Sequence, residues 1–246
     1  MAHPSALAAT FIENWPKELR ALSIPTRSIP IVGDDLVALG GCSATFRDAF
    51  VEFERRNFTD VFLCQIKDAL DEFPDGVMPR IGYCSWKAST ILHKPLLRVS
   101  DVMGTITRDD NRIARGLLPH AMGGAPAMLH LREWQDIPPA EEFRLFILGH
   151  SRIGMSQYHR TVPRSASMYD VEVRASLLSE FARRMRHAFS FEDVVIDIYI
   201  NRAVEPLSVV IIEMNPLDAR TDLCLLTSPA EIDGTLRMSG GVVQPL

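Results

Sequence analysis

Two runs of β-branched residues near the end of the chain constrain its fold most strongly. They are DVVIDIYI, residues 193–200, and LSVVIIEMN, residues 207–215, and the short segment NRAVEP joins them. Alternation and β-branched composition predict that each run is a strand. The short connection favours antiparallel pairing, so we expect a sheet in this part of the chain.

Polar side chains interrupt both strands. Because residues i and i+2 of a strand point the same way, one face of the second strand is predicted to carry Leu207, Val209, Ile211, Glu213 and Asn215. Pro216 cannot donate to a sheet ladder, so the strand should end there. Antiparallel pairing would place Asp197 of the first strand opposite the stretch from Ile211 to Glu213.

Asp197, Glu213 and Asn215 would then bring three oxygen ligands together. Mg²⁺ prefers such hard oxygen donors, with waters and nucleotide phosphates completing its octahedron. The alternative is that the two acids are solvated strand-end residues and that Asn215 begins a turn before Pro216. These residues alone leave both interpretations open.

Basic and aromatic residues elsewhere could belong to the same site. Arg144 lies in the apolar stretch EFRLFIL, where its permanent charge needs an anion, either a ligand or the neighbouring Glu141 or Glu142. In MPRIGYCSWKAS, Arg80 and Lys87 flank a glycine-containing turn, although each could be a solvated surface cation. The segment LHLREWQDIP places Arg132 and Glu133 beside Trp134, which is either a core residue or a base-stacking platform.

The rest of the chain predicts helices and strands in mixed order. Residues 142–160 read as a hairpin turning at Gly149-His150, and DVEVRASLLSEFARRMRHAF reads as a long amphipathic helix. SATFRDAFVEFERRN predicts a helix capped by Ser43, whereas RSIPIVGDDLVALGG predicts extended chain before a Gly-Gly break. The pattern indicates an α+β fold with helices packed on mainly antiparallel sheets.

Composition and charge exclude several classes of protein. The 246 residues are 47% apolar and 23% charged, which is typical of a globular protein, and the net charge of -5 gives no general attraction to nucleic acid or an anionic membrane. Cys42, Cys64, Cys84 and Cys224 form no CxxC pair, which argues against a zinc site and a disulfide framework. We expect a soluble, cytoplasmic chain, because there is no signal-like start and no run long enough to span a bilayer.

Read in order, several segments resemble the cell division cycle protein 123 (D123) family, a divergent branch of the ATP-grasp enzymes. The segments are NWPKELRALSIPTRSIPIVGDDLVAL, MPRIGYCSWKAS, LHLREW, EFRLFILGHSRIGMSQ, VVIDIYI and VIIEMNPLDARTDLCLL. The resemblance implies one ATP-grasp-like unit, residues 1–246, in which two α+β lobes clamp ATP and Mg²⁺. The approximate lobes are residues 1–125 and 126–246.

The resemblance also implies roles for individual residues. Asp197, Glu213 and Asn215 would hold the metal, and Arg144 would face the phosphates during catalysis together with Lys87. The implied nucleotide-binding residues are Arg80, Lys87, Arg144 and an adenine-reading hinge formed by Leu131, Arg132, Glu133 and Trp134. The chain departs from the family at Arg80, which replaces a lysine, at Tyr158, which replaces an arginine, and at Glu213, which replaces an aspartate.

Three functions agree with these features. The first is an ATP-dependent ligase that joins a carboxylate to an amine, of a small molecule or of a protein, through an acyl-phosphate. The second is an ATP-binding assembly factor or chaperone that binds a protein partner without turnover. The third, RNA end-joining, needs a lysine-adenylate. Arg80 makes it less attractive because arginine is a poor nucleophile, whereas Lys87 keeps it open.

Overall fold

The structure is a computed structural model that describes residues 8–82, 84–86, 94–149, 151–161, 168–186, 193–218 and 221–246. Its contacts divide the chain into two compact units. The four-stranded unit is Pro25–Gln135, and the six-stranded unit combines Met1–Ile24 with Asp136–Leu246. The expected boundary at residues 125 and 126 precedes a strand, Ala127–Glu133, that pairs inside the four-stranded unit.

Both units combine helices with sheets, which confirms the α+β prediction. The strands are β1 (Thr26–Ile31), β2 (Val77–Ile81), β3 (Cys84–Ser85), β4 (Ala127–Glu133), β5 (Glu142–Leu148), β6 (Arg152–Gln157), β7 (Asp193–Asn201), β8 (Ser208–Pro216), β9 (Thr235–Met238) and β10 (Val242–Pro245). The α-helices are α1 (Lys17–Arg20), α2 (Gly33–Gly40), α3 (Ala44–Arg47), α4 (Asp60–Glu72), α5 (Val99–Ile106), α6 (Asn111–Gly123) and α7 (Met168–Met185). Short 3₁₀ turns cover Ile12–Asn14, Pro139–Glu141 and Pro229–Glu231. No described helix is both long and apolar enough to cross a bilayer.

The four-stranded unit has an antiparallel sheet in the order β1-β4-β2-β3. Alternation along the central strand β4 turns Ala127, Leu129 and Leu131 into an apolar core that α2 to α6 complete. The intervening His130 and Arg132 are also buried, at 0% and 1% exposure. Residues 129–133 of the segment LHLREW thus lie on β4, an inner strand of this sheet.

Two secondary-structure predictions for this unit need correction. The segment GDDLVALG, expected to be extended, forms α2, whose Leu36 and Leu39 pack in the core. The helix expected from Ser43 onward ends at Arg47, and the Ser43 side chain makes no capping hydrogen bond. The ring of Phe46, in α3, lies too close to the position that a β-carbon at Gly40 would take, so this packing requires the glycine.

The six-stranded unit has the sheet order β10-β9-β6-β5-β7-β8, antiparallel throughout except for β6 and β9. The hairpin of β5 and β6 and the pairing of β7 with β8 were both predicted and are confirmed. Helix α7 covers one face, where Leu178 and Phe181 pack with Ile196 and Ile198. The candidate site occupies the opposite face of this sheet.

A β-bulge in β8 changes which residues share a face. Asp197 pairs with Glu213, but the next residue of β7, Ile198, pairs with Ile211, so Ile212 is the extra residue. The bulge shifts the alternation by one position. Val209 and Ile211 therefore join the α7-covered core, whereas Glu213 and Asn215 point the other way. The prediction of one continuous face from Leu207 to Asn215 was wrong.

Candidate functional site

A two-point ion pair between neighbouring strands forms the centre of the candidate site. Arg144 on β5 is the register partner of Asp197 on β7. Its Nε donates to Asp197 Oδ1 at 2.6 Å, and its Nη2 donates to Asp197 Oδ2 at 2.8 Å. Asp197 is only 1% exposed. The anion that Arg144 needs inside this strand is thus Asp197, rather than Glu141 or Glu142.

A loop after β8 fixes the remaining edge of the Arg144 guanidinium. Arg144 Nη1 donates to the backbone carbonyl of Asp222 at 2.8 Å. The Leu225 N–H donates to the Ser156 hydroxyl at 2.9 Å, which ties the same loop to β6. The ring of Tyr158 lies 4.8 Å from the Arg144 Cζ, within cation–π range. Arg144 is therefore held from three directions.

Glu213 and Asn215 lie next to this ion pair on the same face. Glu213 is directly opposite Asp197 in the strand register, and Asn215 follows two residues later, opposite Val195. Asn215 Nδ2 donates to Glu213 Oε1 at 3.1 Å. The pairing predicted from the two sequence runs therefore brings Asp197, Glu213 and Asn215 together.

The charges of Asp197, Glu213 and Arg144 act on one another. Burial raises the pKa of Asp197, and the charge and hydrogen bond of Glu213 raise it further, while Arg144 opposes both effects. The Arg144 guanidinium contacts the carboxylate of Asp197, and Glu213 is the register neighbour of Asp197 on β8. A divalent cation beside Asp197 and Glu213 would remove their mutual repulsion.

The donor set agrees with Mg²⁺. Asp197, Glu213 and Asn215 offer two carboxylates and an amide oxygen, all hard ligands. Each Asp197 oxygen accepts one hydrogen bond from Arg144 and has a second lone pair. Among the residues that the structure describes, no cluster of three or more His, Cys, Asp or Glu side chains could hold a metal, so a site here would depend on Asn215.

The other predicted nucleotide contacts belong to the four-stranded unit. Arg80 on β2 is 1% exposed and lies between Ser85 and His130 in the sheet register. Arg132 is equally buried, and its Nε donates to Thr26 Oγ1 at 3.3 Å. The idea that Arg80 is a solvated surface cation is therefore wrong.

The predicted adenine hinge is the end of the central strand of this unit. Leu131 is fully buried and faces the core. The Glu133 N–H donates to the Pro25 carbonyl at 2.9 Å, and the Trp134 N–H donates to the Gly76 carbonyl at 2.8 Å. The N–H groups of Glu133 and Trp134 are thus already used in hydrogen bonds within this unit. If this segment recognises adenine, it must do so through other backbone atoms. Lys87 lies outside the described residues.

Sequence reasoning included residues 221–226 in the family resemblance but assigned them no role in the site. In the loop that they form, Asp222 touches Arg144 through a backbone carbonyl, a contact that no side-chain pattern can reveal. Cys224, in the same loop, has a φ of 56° and is 5% exposed. Burial raises the pKa of its thiol to about 11, so it is a packing group rather than a nucleophile at neutral pH.

The sequence is similar to those of known proteins. A translation initiation factor eIF2 assembly protein of Vanderwaltozyma polyspora is 29% identical over 177 residues, which is 64% of this chain and 45% of that protein. The protein of the same name from Xenopus laevis is 33% identical over 100 residues, covering 40% of this chain and 29% of the relative. The chain spans less than half the length of these relatives.

The fold also matches a solved structure. Cdc123 from Schizosaccharomyces pombe aligns with a TM-score of 0.70 over 97% of this chain and 98% of the other, at 16% sequence identity. Its C-terminally truncated form aligns with a TM-score of 0.72 over the same shares. The D123 family model matches residues 52–233, which is well over half of the sequence. The chain therefore belongs to the D123 family.

Proposed function

We propose that this chain is an ATP-binding assembly factor that holds Mg²⁺-ATP beside Asp197, Glu213 and Asn215 and binds a protein partner. The direct register of Asp197 with Glu213 carries the proposal, because it puts two carboxylates at one point of a sheet face. The names of the relatives support the assembly role, since they are described as eIF2 assembly proteins. We further propose that the protein acts in the cytoplasm.

The described residues have separate tasks in this proposal. The oxygens of Asp197, Glu213 and Asn215 would hold Mg²⁺, and the ion would neutralise phosphate charge. Arg144, fixed by Asp197 and the Asp222 carbonyl, keeps a positive charge at the site in the absence of ligand. Its rigid placement favours binding, since little side-chain entropy remains to be lost.

Nucleotide binding and turnover can be measured in one experiment. Isothermal titration calorimetry with ATP, in Mg²⁺ and then in EDTA, gives the affinity and its metal dependence. A parallel assay of phosphate release tests turnover. The proposal expects magnesium-dependent binding with phosphate release no faster than the protein-free rate. If ATP does not bind in the presence of Mg²⁺, the proposal is wrong.

The partner can be tested with purified eIF2, the translation initiation factor that the names of the relatives give. We expect a complex by analytical ultracentrifugation that is stronger with Mg²⁺-ATP than with EDTA. The Glu213→Gln variant is the matched comparison, because it removes a proposed metal ligand and leaves the surface shape nearly unchanged. In this variant the complex should no longer be stronger with Mg²⁺-ATP than with EDTA. Equal complex formation in every condition would show that partner binding does not depend on Mg²⁺-ATP.

A ligase is the second candidate, supported by the joint presence of paired carboxylates and a fixed arginine. In that reaction a substrate carboxylate oxygen attacks the γ-phosphorus of ATP and ADP leaves. An amine then attacks the acyl carbon and phosphate leaves. Positioning and electrostatics would account for most of the acceleration. Phosphate release that requires both an acid and an amine would favour this candidate over the assembly factor.

A further inference from the structure

A second arginine lies at the edge of the candidate site. Arg160 follows β6 by three positions, and its Nη2 contacts Asp222 Oδ1 at 2.7 Å. Both side chains are 63% exposed. The pair is therefore in water, unlike the buried pair of Arg144 and Asp197.

Asp222 connects the two arginines through different atoms. Its backbone carbonyl accepts from Arg144 Nη1, and its carboxylate accepts from Arg160. The same Oδ1 also accepts from the Cys224 N–H at 2.9 Å. Asp222 is therefore fixed to the site by backbone contacts that do not depend on Arg160.

Arg160 is held much less firmly than Asp222. Among the described residues, Asp222 is its one acidic contact. Water and salt screen exposed ion pairs, so they contribute little. A nucleotide phosphate chain carries several negative charges and accepts an arginine at two points. It would compete successfully with one exposed carboxylate for the Arg160 guanidinium.

We propose that Arg160 is a phosphate-binding residue that Asp222 holds at the edge of the site until a nucleotide binds. When Mg²⁺-ATP binds, the Arg160 guanidinium leaves Asp222 and contacts a phosphate oxygen. Arg144 stays in place, because the buried Asp197 holds it. This inference rests on the proposed nucleotide-binding function, and it adds a phosphate contact that moves.

The two members of the pair should affect ATP affinity in opposite directions. Arg160→Gln removes a charged hydrogen-bond donor, so the Kd for Mg²⁺-ATP should rise by about tenfold. Asp222→Asn removes the competing charge, yet its amide oxygen can still accept from the Cys224 N–H. Its Kd should fall by up to about fivefold. Adenosine affinity should not change in Arg160→Gln, because adenosine carries no phosphate.

The double variant distinguishes release of Arg160 from a general electrostatic effect. If Asp222 acts by holding Arg160, Asp222→Asn should not tighten binding further in the Arg160→Gln background. If it acts only by repelling phosphate, the same gain should appear in both backgrounds. Thermal unfolding of each variant without nucleotide reports any change in the fold.

Calorimetry with ATP and adenosine tests the inference in four proteins: the wild type, the two single variants and the double variant. Opposite shifts in the single variants and no gain in the double variant support the inference. Wild-type affinity in Arg160→Gln overturns it and leaves the proposed nucleotide site intact. Weaker binding in both single variants also overturns it, since that result indicates a structural pair. Failure of the wild-type chain to bind Mg²⁺-ATP would reject the proposed function itself.

Discussion

Arg144 and Asp197 form a buried two-point ion pair across β5 and β7, with donor–acceptor distances of 2.6 and 2.8 Å. The Asp197 carboxylate compensates the positive charge that Arg144 carries inside an apolar strand. It also leaves Asp197 beside Glu213, its register partner on β8. The ion pair therefore contributes to the stability of the six-stranded unit and also fixes Asp197 within the candidate site.

Removing Arg144 should be costly at neutral pH. Arg144→Met leaves Asp197 buried without its counter-charge, and breaking a buried pair in this way costs about 3–5 kcal/mol. The cost should shrink as the pH falls, because Asp197, whose pKa is already raised, takes up a proton. Urea unfolding across the acidic range measures both effects. The exposed Arg183→Met should stay within about 0.5 kcal/mol of the wild type at every pH.

A second ion-pair cluster offers a comparison between a buried and an exposed arginine. Glu141 Oε1 accepts from Arg174 Nη2 at 2.6 Å and lies 2.8 Å from Arg202 Nε, and the arginine side chains are 11% and 44% exposed. Arg174→Met should destabilise the chain by about 3 kcal/mol. Arg202→Met should cost about 0–1 kcal/mol. Equal losses in urea unfolding would contradict this assignment.

The thiols should differ strongly in reactivity. Cys64 is exposed, whereas Cys224 is buried and has its pKa raised to about 11, chiefly by burial. Because the thiolate is the reactive species, Cys224 should label slowly at neutral pH. Timed alkylation followed by peptide mass spectrometry should find label on Cys64 first. Rapid label on Cys224 in the folded protein would show that the loop of residues 221–226 is open.

Tyr158 should make stability fall at alkaline pH. Burial, assisted by the charge of Asp197, raises its pKa to about 12 from the ordinary value of 10.0. The folded state therefore favours the neutral phenol, and this contribution is complete below about pH 10 and is lost as the pH rises to 12. Between these values the wild type should lose stability relative to Tyr158→Phe. Denaturant unfolding at several alkaline pH values measures the difference. A constant difference would contradict the raised pKa.

The local patterns predicted much of the six-stranded unit. The β5–β6 hairpin, helix α7 and the β7–β8 pair all follow from short-range signals, namely a turn, a 3.6-residue period and alternation. The resulting register also brought Asp197, Glu213 and Asn215 together as expected. These features were accessible because each depends on residues that are near in sequence.

Other features depend on long-range contacts that the sequence does not display. The bulge at Ile212 reverses the alternation of β8, although the residues themselves read as one uninterrupted strand. Asp197 was not recognised as the partner of Arg144, because the two residues are 53 positions apart. The Asp222 carbonyl contact was equally hidden, since any residue type supplies a carbonyl.

The metal dependence of ATP binding in the wild type and in Glu213→Gln tests the central claim most directly. Both proteins would be titrated with ATP by calorimetry, with Mg²⁺ and with EDTA, after thermal unfolding shows that the variant is folded. We predict that Mg²⁺ tightens ATP binding to the wild type by about tenfold or more and that Glu213→Gln loses most of this gain. The same magnesium-dependent gain in both proteins, or no ATP binding by the wild type, would contradict a nucleotide–metal site at Asp197 and Glu213.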